Sequence, residues 1–215
     1  MIRWFSALLA TWIALHGAPP PLQAAQSAVR PDADTAALVA EVRKSFTVHG
    51  KQIPPGIFFD FGDSDLADSG NIWVTVNVTA ATGSNLYFDD ITAAGGWFSQ
   101  KPLKGRPHAG EEISYTYEGA TDNGLLVVVT SYGGGGSGRF LSLHVLDLAP
   151  VHAIDIEGKP YWQINLTLLR TIPLGDRWIG EVSIAKNSIK IVTTRSGPAD
   201  DSGERRTMTV LAERP

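Results

Sequence analysis

The feature that most constrains the fold is a long series of short apolar or alternating runs that begins at Ile57. Each run is rich in Val, Ile, Thr, Tyr and Trp, and Gly, Asn, Asp and Pro separate one run from the next. In the run at residues 71–80, Val74, Val76 and Val78 share one side, which is the two-residue period of a half-buried strand. Runs of this kind without helical patterns between them predict antiparallel strands rather than βαβ units.

Further runs of similar length and composition follow along the chain, at residues 114–118, 125–132, 140–148, 162–172, 178–184, 189–194 and 207–213. Between two of these runs, Lys186 and Asn187 predict a tight turn, because Asn tolerates a positive φ angle. We therefore predict a mainly β fold, an antiparallel β-sandwich or barrel-like domain over residues 57–215.

One N-terminal α-helix is predicted before the strands, within residues 30–46. Asp32 or Asp34 is a suitable N-cap residue for this helix. Apolar residues four positions apart form a single stripe along it, namely Leu38, Val42 and Phe46. The prolines in residues 53–56 prevent the helix from continuing, because proline lacks the N–H and clashes with the preceding turn. The helix and this Pro-rich connector make up a predicted segment at residues 26–56.

Residues 1–25 have the composition of a secretory signal peptide. Arg3 is followed by an apolar run at residues 4–15 and then by small residues, with suitable cleavage positions after Ala24 or Ala25. The apolar run is too short to span a bilayer, which needs about 20 helical residues. We expect a periplasmic or extracellular protein whose mature chain has no integral membrane segment.

A glycine-rich stretch at residues 133–138 matches the G-x-G-x-x-G pattern of dinucleotide-binding loops, and Asp155 follows at a suitable distance. Such a loop must open a helix, whose N-terminus binds the pyrophosphate. Here Leu141, Leu143 and Val145 instead alternate with polar residues, which predicts a strand. We therefore interpret the stretch as a hairpin loop and predict no nucleotide cofactor.

The composition excludes several classes of function. The chain has no cysteine, so it has neither disulfides nor a thiol nucleophile, and its formal net charge is −4. A nucleic-acid-binding protein carries a basic stripe, and none is present, so we expect no nucleic-acid partner. The nearest approach is a group of cations in a Pro- and Gly-broken segment that is predicted to be a solvated loop: Lys101, Lys104, Arg106 and His108.

A cluster of aspartates raises the question of a Ca²⁺ site, since oxygen-rich loops bind this ion. The candidate ligands are Asp60, Asp63, Asp65 and Asp68. The spacing does not fit an EF-hand, because Ala67 and Asp68 occupy the fifth and sixth positions counted from Asp63. An exposed turn is the interpretation that we favour, with Ca²⁺ as the alternative.

Three aromatic residues are candidates for a ligand-binding platform: Trp97, Tyr161 and Trp162. Trp97 follows two glycines and precedes a polar loop, which favours exposure. The alternative is that these rings fill the core, which is the commoner role of aromatic residues in a domain of this size. His144 alternates with apolar strand residues and is interpreted as a solvent-facing or satisfied core histidine rather than a metal ligand.

From residue 125 onward the order of features resembles the closing β-module of a diffuse group of uncharacterised bacterial secreted proteins. The similar stretches are GGSGRF, LSLHVL, LGDRW and VSIAKNSIKIVTTRSGP. This chain departs from the group in having only the short turn TDNG at residues 121–124 and no Cys pair after its Gly-Pro. The resemblance implies an envelope location and a glycine-rich hairpin, and it implies no activity.

Two functional hypotheses follow from the sequence. The first is an exported, non-catalytic β-domain that acts as a binding or envelope-associated accessory protein. The alternative is an exported hydrolase whose carboxylates are brought together by the fold. A hydrolase requires a cleft with convergent carboxylates, whereas a binding protein requires an exposed aromatic strip or apolar patch.

Overall fold

The computed structural model describes residues 30–62, 74–83, 87, 90–195 and 205–214. The chain divides into a unit over Met1–Arg30 and a unit over Pro31–Pro215, and the description below concerns the second. Its helices are α1 (Ala33–Ser45), α2 (Ile57–Gly62) and α3 (Val78–Gly83). Its strands are β1 (Thr47–Val48), β2 (Lys51–Gln52), β3 (Thr75–Asn77), β4 (Thr92–Ala94), β5 (Trp97–Gln100), β6 (Glu112–Ala120), β7 (Leu126–Gly133), β8 (Phe140–Ile154), β9 (Pro160–Asp176), β10 (Ile179–Ala185), β11 (Ser188–Arg195) and β12 (Arg206–Leu211).

The strands form antiparallel sheets, which confirms the predicted mainly β fold. The largest sheet has seven strands in the order β3-β9-β8-β7-β6-β5-β4, and a second sheet has the order β10-β11-β12. Strands β1 and β2 form a small separate pair. The two larger sheets are open, with β3 and β4 at the edges of one and β10 and β12 at the edges of the other. The architecture is therefore sandwich-like rather than a closed barrel.

The large sheet is buried on both faces. On one face, Leu126 and Val128 join a core with residues of all three helices. On the other face, Val127 and Val129 join a second core with residues of the three-stranded sheet. Successive side chains of a strand point to opposite faces, so a strand between two cores is apolar at every position. This explains the uninterrupted apolar run in β7.

Helix α1 begins and ends as predicted. The Asp32 carboxylate accepts a hydrogen bond from the Thr35 amide at 2.7 Å. Hydrogen bonding with the Thr35 side chain, and then with its amide, lowers the pKa of Asp32. The helix ends at Phe46, whose φ of 55° is left-handed. The Glu41 carboxylate then accepts hydrogen bonds from the Gly50 amide at 2.7 Å and the Thr47 hydroxyl at 2.8 Å. These contacts fix the β1–β2 turn to the end of the helix.

Helices α2 and α3 correct the prediction that the chain contains strands alone after Ile57. The prolines at the end of the connector lead directly into α2. The carbonyls of Pro54 and Pro55 accept hydrogen bonds from the amides of Ile57 and Phe58, which begins the helix. The run predicted as a strand at residues 71–80 is extended only in β3 and then turns into α3.

The turn into α3 depends on one side chain. Asn77 Oδ1 accepts a hydrogen bond from the Ala80 amide at 3.0 Å, which is the geometry of a helix N-cap. Val76 in β3 and Val78 in α3 are nevertheless both buried, so the apolar positions of this run face the core on both sides of the turn.

The glycine-rich stretch is a hairpin loop between β7 and β8, as predicted. Tyr132 pairs with Phe140 across the loop, and the residues that follow it form β8 rather than a helix. Gly135 has a φ of +83°, which supplies the reversal of the chain. The turn between β10 and β11 is also confirmed, but the residue with the positive φ is Lys186, at 55°, and not Asn187 as predicted. Within the described residues, none of the helices combines the length and the apolar character needed to cross a bilayer.

Candidate functional site

The three aromatic residues proposed as a platform do not lie together. Trp97 is half-buried in β5 and packs against the second core. Tyr161 and Trp162 lie in β9, and strands β8, β7 and β6 separate them from β5. At the usual strand spacing this separation is about 19 Å. Tyr161 and Trp162 are also consecutive in one strand, so their rings point to opposite faces of the sheet.

The acidic cluster can be assessed only at Asp60, because Asp63, Asp65 and Asp68 lie outside the described residues. Asp60 belongs to α2, and its carboxylate accepts a hydrogen bond from the Tyr87 hydroxyl. Burial, together with this carboxylate, raises the pKa of Tyr87 above its usual range. Among the residues that the structure describes, no three His, Asp or Glu side chains are grouped in a way that could bind a metal ion.

The basic loop before β6 is anchored by its histidine. Lys101, Lys104 and Arg106 are exposed, which agrees with the predicted solvated loop. The His108 ring is half-buried and stacks on Phe59, with a centroid separation of 4.1 Å and an interplanar angle of 3°. The loop is therefore held against α2.

His144 is a core residue with polar partners. Its Nε2 lies 2.9 Å from the Thr130 hydroxyl, and its Nδ1 lies 3.1 Å from the Thr171 hydroxyl. The ring also stacks on Phe58, with the centroids 5.6 Å apart. Burial lowers the pKa of His144 to about 4, so the ring is neutral near pH 7. A neutral imidazole can donate from one nitrogen and accept at the other, and each threonine hydroxyl can take either role.

An open cleft of about 460 Å³ lies at the β4 edge of the large sheet. It is lined by Asp90, Thr92, Ser99, Gln100, Lys101, Leu103 and Glu112. Two carboxylates from different parts of the sequence, those of Asp90 and Glu112, therefore line the same cleft. Glu112 is not free, because its carboxylate lies 3.0 Å from the guanidinium of Arg139 beside the glycine-rich loop.

The β8–β9 hairpin extends beyond its neighbours as a two-stranded arm. We define the arm as residues 151–163, in which the pairs run from Val151–Gln163 to Ile154–Pro160. Strand β7 pairs with β8 only as far as Leu146, and β3 pairs with β9 only at residues 165–167. The arm is therefore paired along neither of its outer edges by the strands of the described structure.

The arm carries several exposed apolar side chains, including the two most exposed of its hairpin, Ile154 and Ile156. Ile156 at the turn is fully exposed, Ile154 is 69% exposed and Tyr161 is 43% exposed. The turn is closed by Asp155, whose carboxylate accepts from the amides of Glu157 and Lys159 at 2.9 and 2.8 Å. Exposed apolar side chains on a well-formed hairpin are typical of contact surfaces.

A row of uncharged polar side chains runs from the base of the arm across β9 and β3. We call this row the polar ladder, and it consists of Thr75, Asn77, Gln163, Asn165 and Thr167. These residues share one face, because the alternating neighbours Val76, Ile164 and Leu166 point into the first core. Thr75 is exposed and the other four residues are half-buried.

Hydrogen bonds connect the polar ladder to the arm. The hydroxyls of Thr75 and Thr167, on opposite strands, are 3.0 Å apart. Asn77 lies opposite Asn165, and its Nδ2 donates to Gln163 Oε1 at 2.8 Å. The Tyr161 hydroxyl donates to the same Gln163 oxygen at 3.2 Å. The ladder and Tyr161 thus form one continuous polar surface that ends in an aromatic ring.

One atom of the ladder is left without a bond. Asn165 Oδ1 is buried, and no hydrogen-bond donor lies within reach of it in the described structure. Asparagine is also depleted in strands generally. Its presence at the centre of the ladder is therefore unfavourable for folding, which makes this position a candidate for function.

The sequence contains only a partial signal for this surface. It predicts Tyr161 as a site residue but does not predict the ladder, because the ladder forms only when β3 pairs with β9. The available signal is the spacing of Asn165 and Thr167 in an alternating run, whereas Thr79, which follows Asn77 at the same spacing, lies in α3 and outside the ladder. In a strand this spacing places an amide and a hydroxyl on the same face.

Comparisons of the chain with models of known protein families, with curated proteins and with solved structures gave no match.

Proposed function

We propose that this is an exported, non-catalytic binding protein, an accessory component of the cell envelope that contacts its ligand through the polar ladder and the arm. The observation that carries the proposal is the continuity of this surface. Uncharged donors and acceptors lie on one sheet face and lead to the exposed Tyr161 ring, and the chain projects there beyond the rest of the sheet.

The exposed side chains of the arm support a role in binding. A two-stranded hairpin is only marginally stable in water by itself. The side chains of Ile154 and Ile156 do little to stabilise the arm, because both are largely exposed to water. Exposed apolar side chains stabilise a structure only when another surface covers them. The arm is therefore suited to contact another molecule.

Export is supported by the leader-like composition of residues 1–25. The resemblance of the C-terminal portion to secreted bacterial proteins points to the same location. An envelope location would expose the arm to polysaccharides, lipids and other exported proteins.

Cell fractionation and envelope binding test this proposal together. The full chain, expressed with its own leader in a Gram-negative host, is expected in the periplasmic or extracellular fraction. The purified exported protein should then co-sediment with isolated cell envelopes. The double substitution Val151→Ser and Tyr161→Ala changes the face of the arm that continues the ladder, because Val151 lies opposite Gln163, and it should reduce this retention at least about tenfold.

Ile179→Ser provides the matched control, because Ile179 is 56% exposed in β10, outside both the arm and the ladder. It should leave envelope retention unchanged. Retention of the protein in the cytoplasm would contradict export. Equal retention of the wild type and the arm variant would contradict binding through the arm.

A second candidate function is hydrolysis in the cleft at the β4 edge, because Asp90 and Glu112 both line it. Two carboxylates on one cleft are the minimum for acid and base catalysis of glycoside cleavage. The ion pair of Glu112 with Arg139 favours a structural role for this carboxylate, which places hydrolysis second. Release of reducing ends from polysaccharides, abolished by both Asp90→Asn and Glu112→Gln, would establish it. If no reducing ends were released, hydrolysis would be wrong and binding would remain as the proposed function.

A further inference from the structure

We propose that a small pocket between β9 and the end of β12 binds an apolar α-amino acid. The pocket has a volume of about 280 Å³, and both a guanidinium and a carboxylate line it, those of Arg170 and Glu213. No residue of the arm contributes to its lining. The proposal therefore concerns a second site and goes beyond the binding function assigned to the arm.

A β-bulge directs Arg170 towards this pocket. Val145 in β8 pairs with Arg170 in β9. The next pair is Leu146 with Leu168, so Leu169 is the extra residue of β9. Residues that pair across an antiparallel ladder lie on the same face, and Val145 faces the second core, against which Leu169 also packs. The bulge thus places a charged side chain beside an apolar one on an inner sheet face, an arrangement for which bulges are used next to binding sites.

The two charged groups of the pocket are free to bind a ligand. Among the described residues, neither the Arg170 guanidinium nor the Glu213 carboxylate forms an ion pair or a side-chain hydrogen bond, and both residues are exposed. A guanidinium can bind a carboxylate through two parallel hydrogen bonds. A carboxylate accepts hydrogen bonds from an ammonium group. Opposite charges on one small pocket are therefore complementary to a zwitterion, whereas a simple anion would be repelled by Glu213.

The base of the pocket is apolar. Val145 and Ala212 are at most 2% exposed, and Leu169 is half-buried. Leu211 adds apolar surface at the rim, where it is 62% exposed. Covering this surface favours a ligand with an apolar side chain. Pockets for drug-sized ligands occupy about 300–1,000 Å³, so this smaller one suits a molecule of the size of a single amino acid.

Hydrogen bonds hold the segment that carries Glu213 in place. On one side of it, the Asn123 side-chain amide donates to the Ala212 carbonyl at 2.8 Å. On the other side, the Arg214 guanidinium donates to Asp147 at 2.9 Å and to the Asn123 carbonyl at 2.8 Å. Arg214 is therefore already paired, which leaves Arg170 as the guanidinium for a ligand. A wall that is fixed before binding reduces the entropy lost when a ligand binds.

The test is isothermal titration of the exported protein with L-leucine and L-phenylalanine. Each should bind with a dissociation constant below about 1 mM. Three related compounds should bind at least about tenfold more weakly. These are leucinamide, which lacks the carboxylate, N-acetyl-leucine, which lacks the ammonium group, and glycine, which lacks the apolar side chain.

Two substitutions test the assigned partners. Arg170→Gln and Glu213→Gln should each weaken leucine binding at least about tenfold. Both side chains are exposed, so the melting temperature of each variant should stay within about 2 °C of the wild type. Lys190→Gln is the matched control, because it removes an exposed charge from β11 outside the pocket, and it should bind leucine like the wild type. The arm variant with Val151→Ser and Tyr161→Ala should also retain leucine binding.

Three results would overturn the proposal. The first is that neither amino acid binds at millimolar concentration. The second is that N-acetyl-leucine binds as tightly as leucine, since Glu213 would then not recognise an ammonium group. The third is that leucine binding survives both pocket substitutions, which would place its site elsewhere. Each result can be obtained whether or not envelope retention depends on the arm, so failure here leaves the proposed binding function to its own test.

Discussion

Individual polar residues in the cores of this protein are placed where they have partners, and His144 is the clearest case. Two threonine hydroxyls and an aromatic ring surround its imidazole, so the neutral form is satisfied inside an apolar layer. The charged form would have to be desolvated, and burial therefore lowers the pKa of His144 to about 4.

This pKa predicts how the stability of the protein depends on pH. In the unfolded chain a histidine titrates near pH 6.5, so above that value the folded and unfolded states are both neutral. As the pH falls from about 6.5 towards about 4, the unfolded state gains a proton that the folded state excludes. The free energy of unfolding should then decrease by up to about 1.4 kcal/mol per pH unit. Urea unfolding between about pH 7 and about pH 4.5 measures this slope.

His144→Gln is the control, since glutamine can bond to a threonine hydroxyl but does not titrate. The variant should be less stable at pH 7 and should show a smaller slope over the same range. Parallel slopes for the wild type and the variant would show that other groups cause the pH dependence.

At the scale of the elements, the glycine-rich loop shows how two adjacent glycines can differ in importance. Gly135 has a φ of +83°, and a Cβ atom there would lie 3.2 Å from the carbonyl oxygen of Gly110. Gly136 needs no such conformation, and a Cβ atom there would meet nothing within 4 Å. The loop therefore requires glycine at position 135, whereas it can accept a residue with a side chain at position 136.

Alanine substitutions at the two positions test this difference. Gly135→Ala should destabilise the protein by about 1–3 kcal/mol, because alanine is strained at this φ and crowds the neighbouring loop. Gly136→Ala should be neutral or stabilising by up to about 1 kcal/mol, since it restricts only the unfolded chain. Urea unfolding of both variants measures the two effects. Equal losses would mean that the glycines act through something other than the turn.

The elements that the sequence predicted are those with local signals of sufficient length. Helix α1 has an N-cap and an apolar stripe, and the strands after β5 have either alternating residues or, in β7, a continuous apolar run. Helices α2 and α3 have six residues each, which is too short for a helical period to show. The polar ladder joins Asn77 to Gln163, which are 86 positions apart, so only strand pairing reveals it.

The unit over Pro31–Pro215 is built in three layers, with the large sheet in the middle. The helices and the β1–β2 pair cover one face, and the three-stranded sheet covers the other. Strand β7 lies between them and contributes Leu126 and Val128 to one core and Val127 and Val129 to the other. Loss of either outer layer would expose one face of β7 to water, which couples the two cores.

This coupling predicts a single unfolding transition for residues in both cores. Phe46→Ala in the first core and Ile191→Ala in the second should destabilise the protein by about 3–5 and about 2–5 kcal/mol, respectively. Both residues are at most 2% exposed, whereas Ile179 is 56% exposed, so Ile179→Ala should change stability by at most about 0.5 kcal/mol. Near-UV circular dichroism and hydrogen exchange of β7 amides should give the same midpoint of denaturation in each variant. In the contrary outcome, Ile191→Ala would release the three-stranded sheet in an earlier step while β7 amides stayed protected. The layers would then unfold independently, and the first core alone would have to stabilise the large sheet.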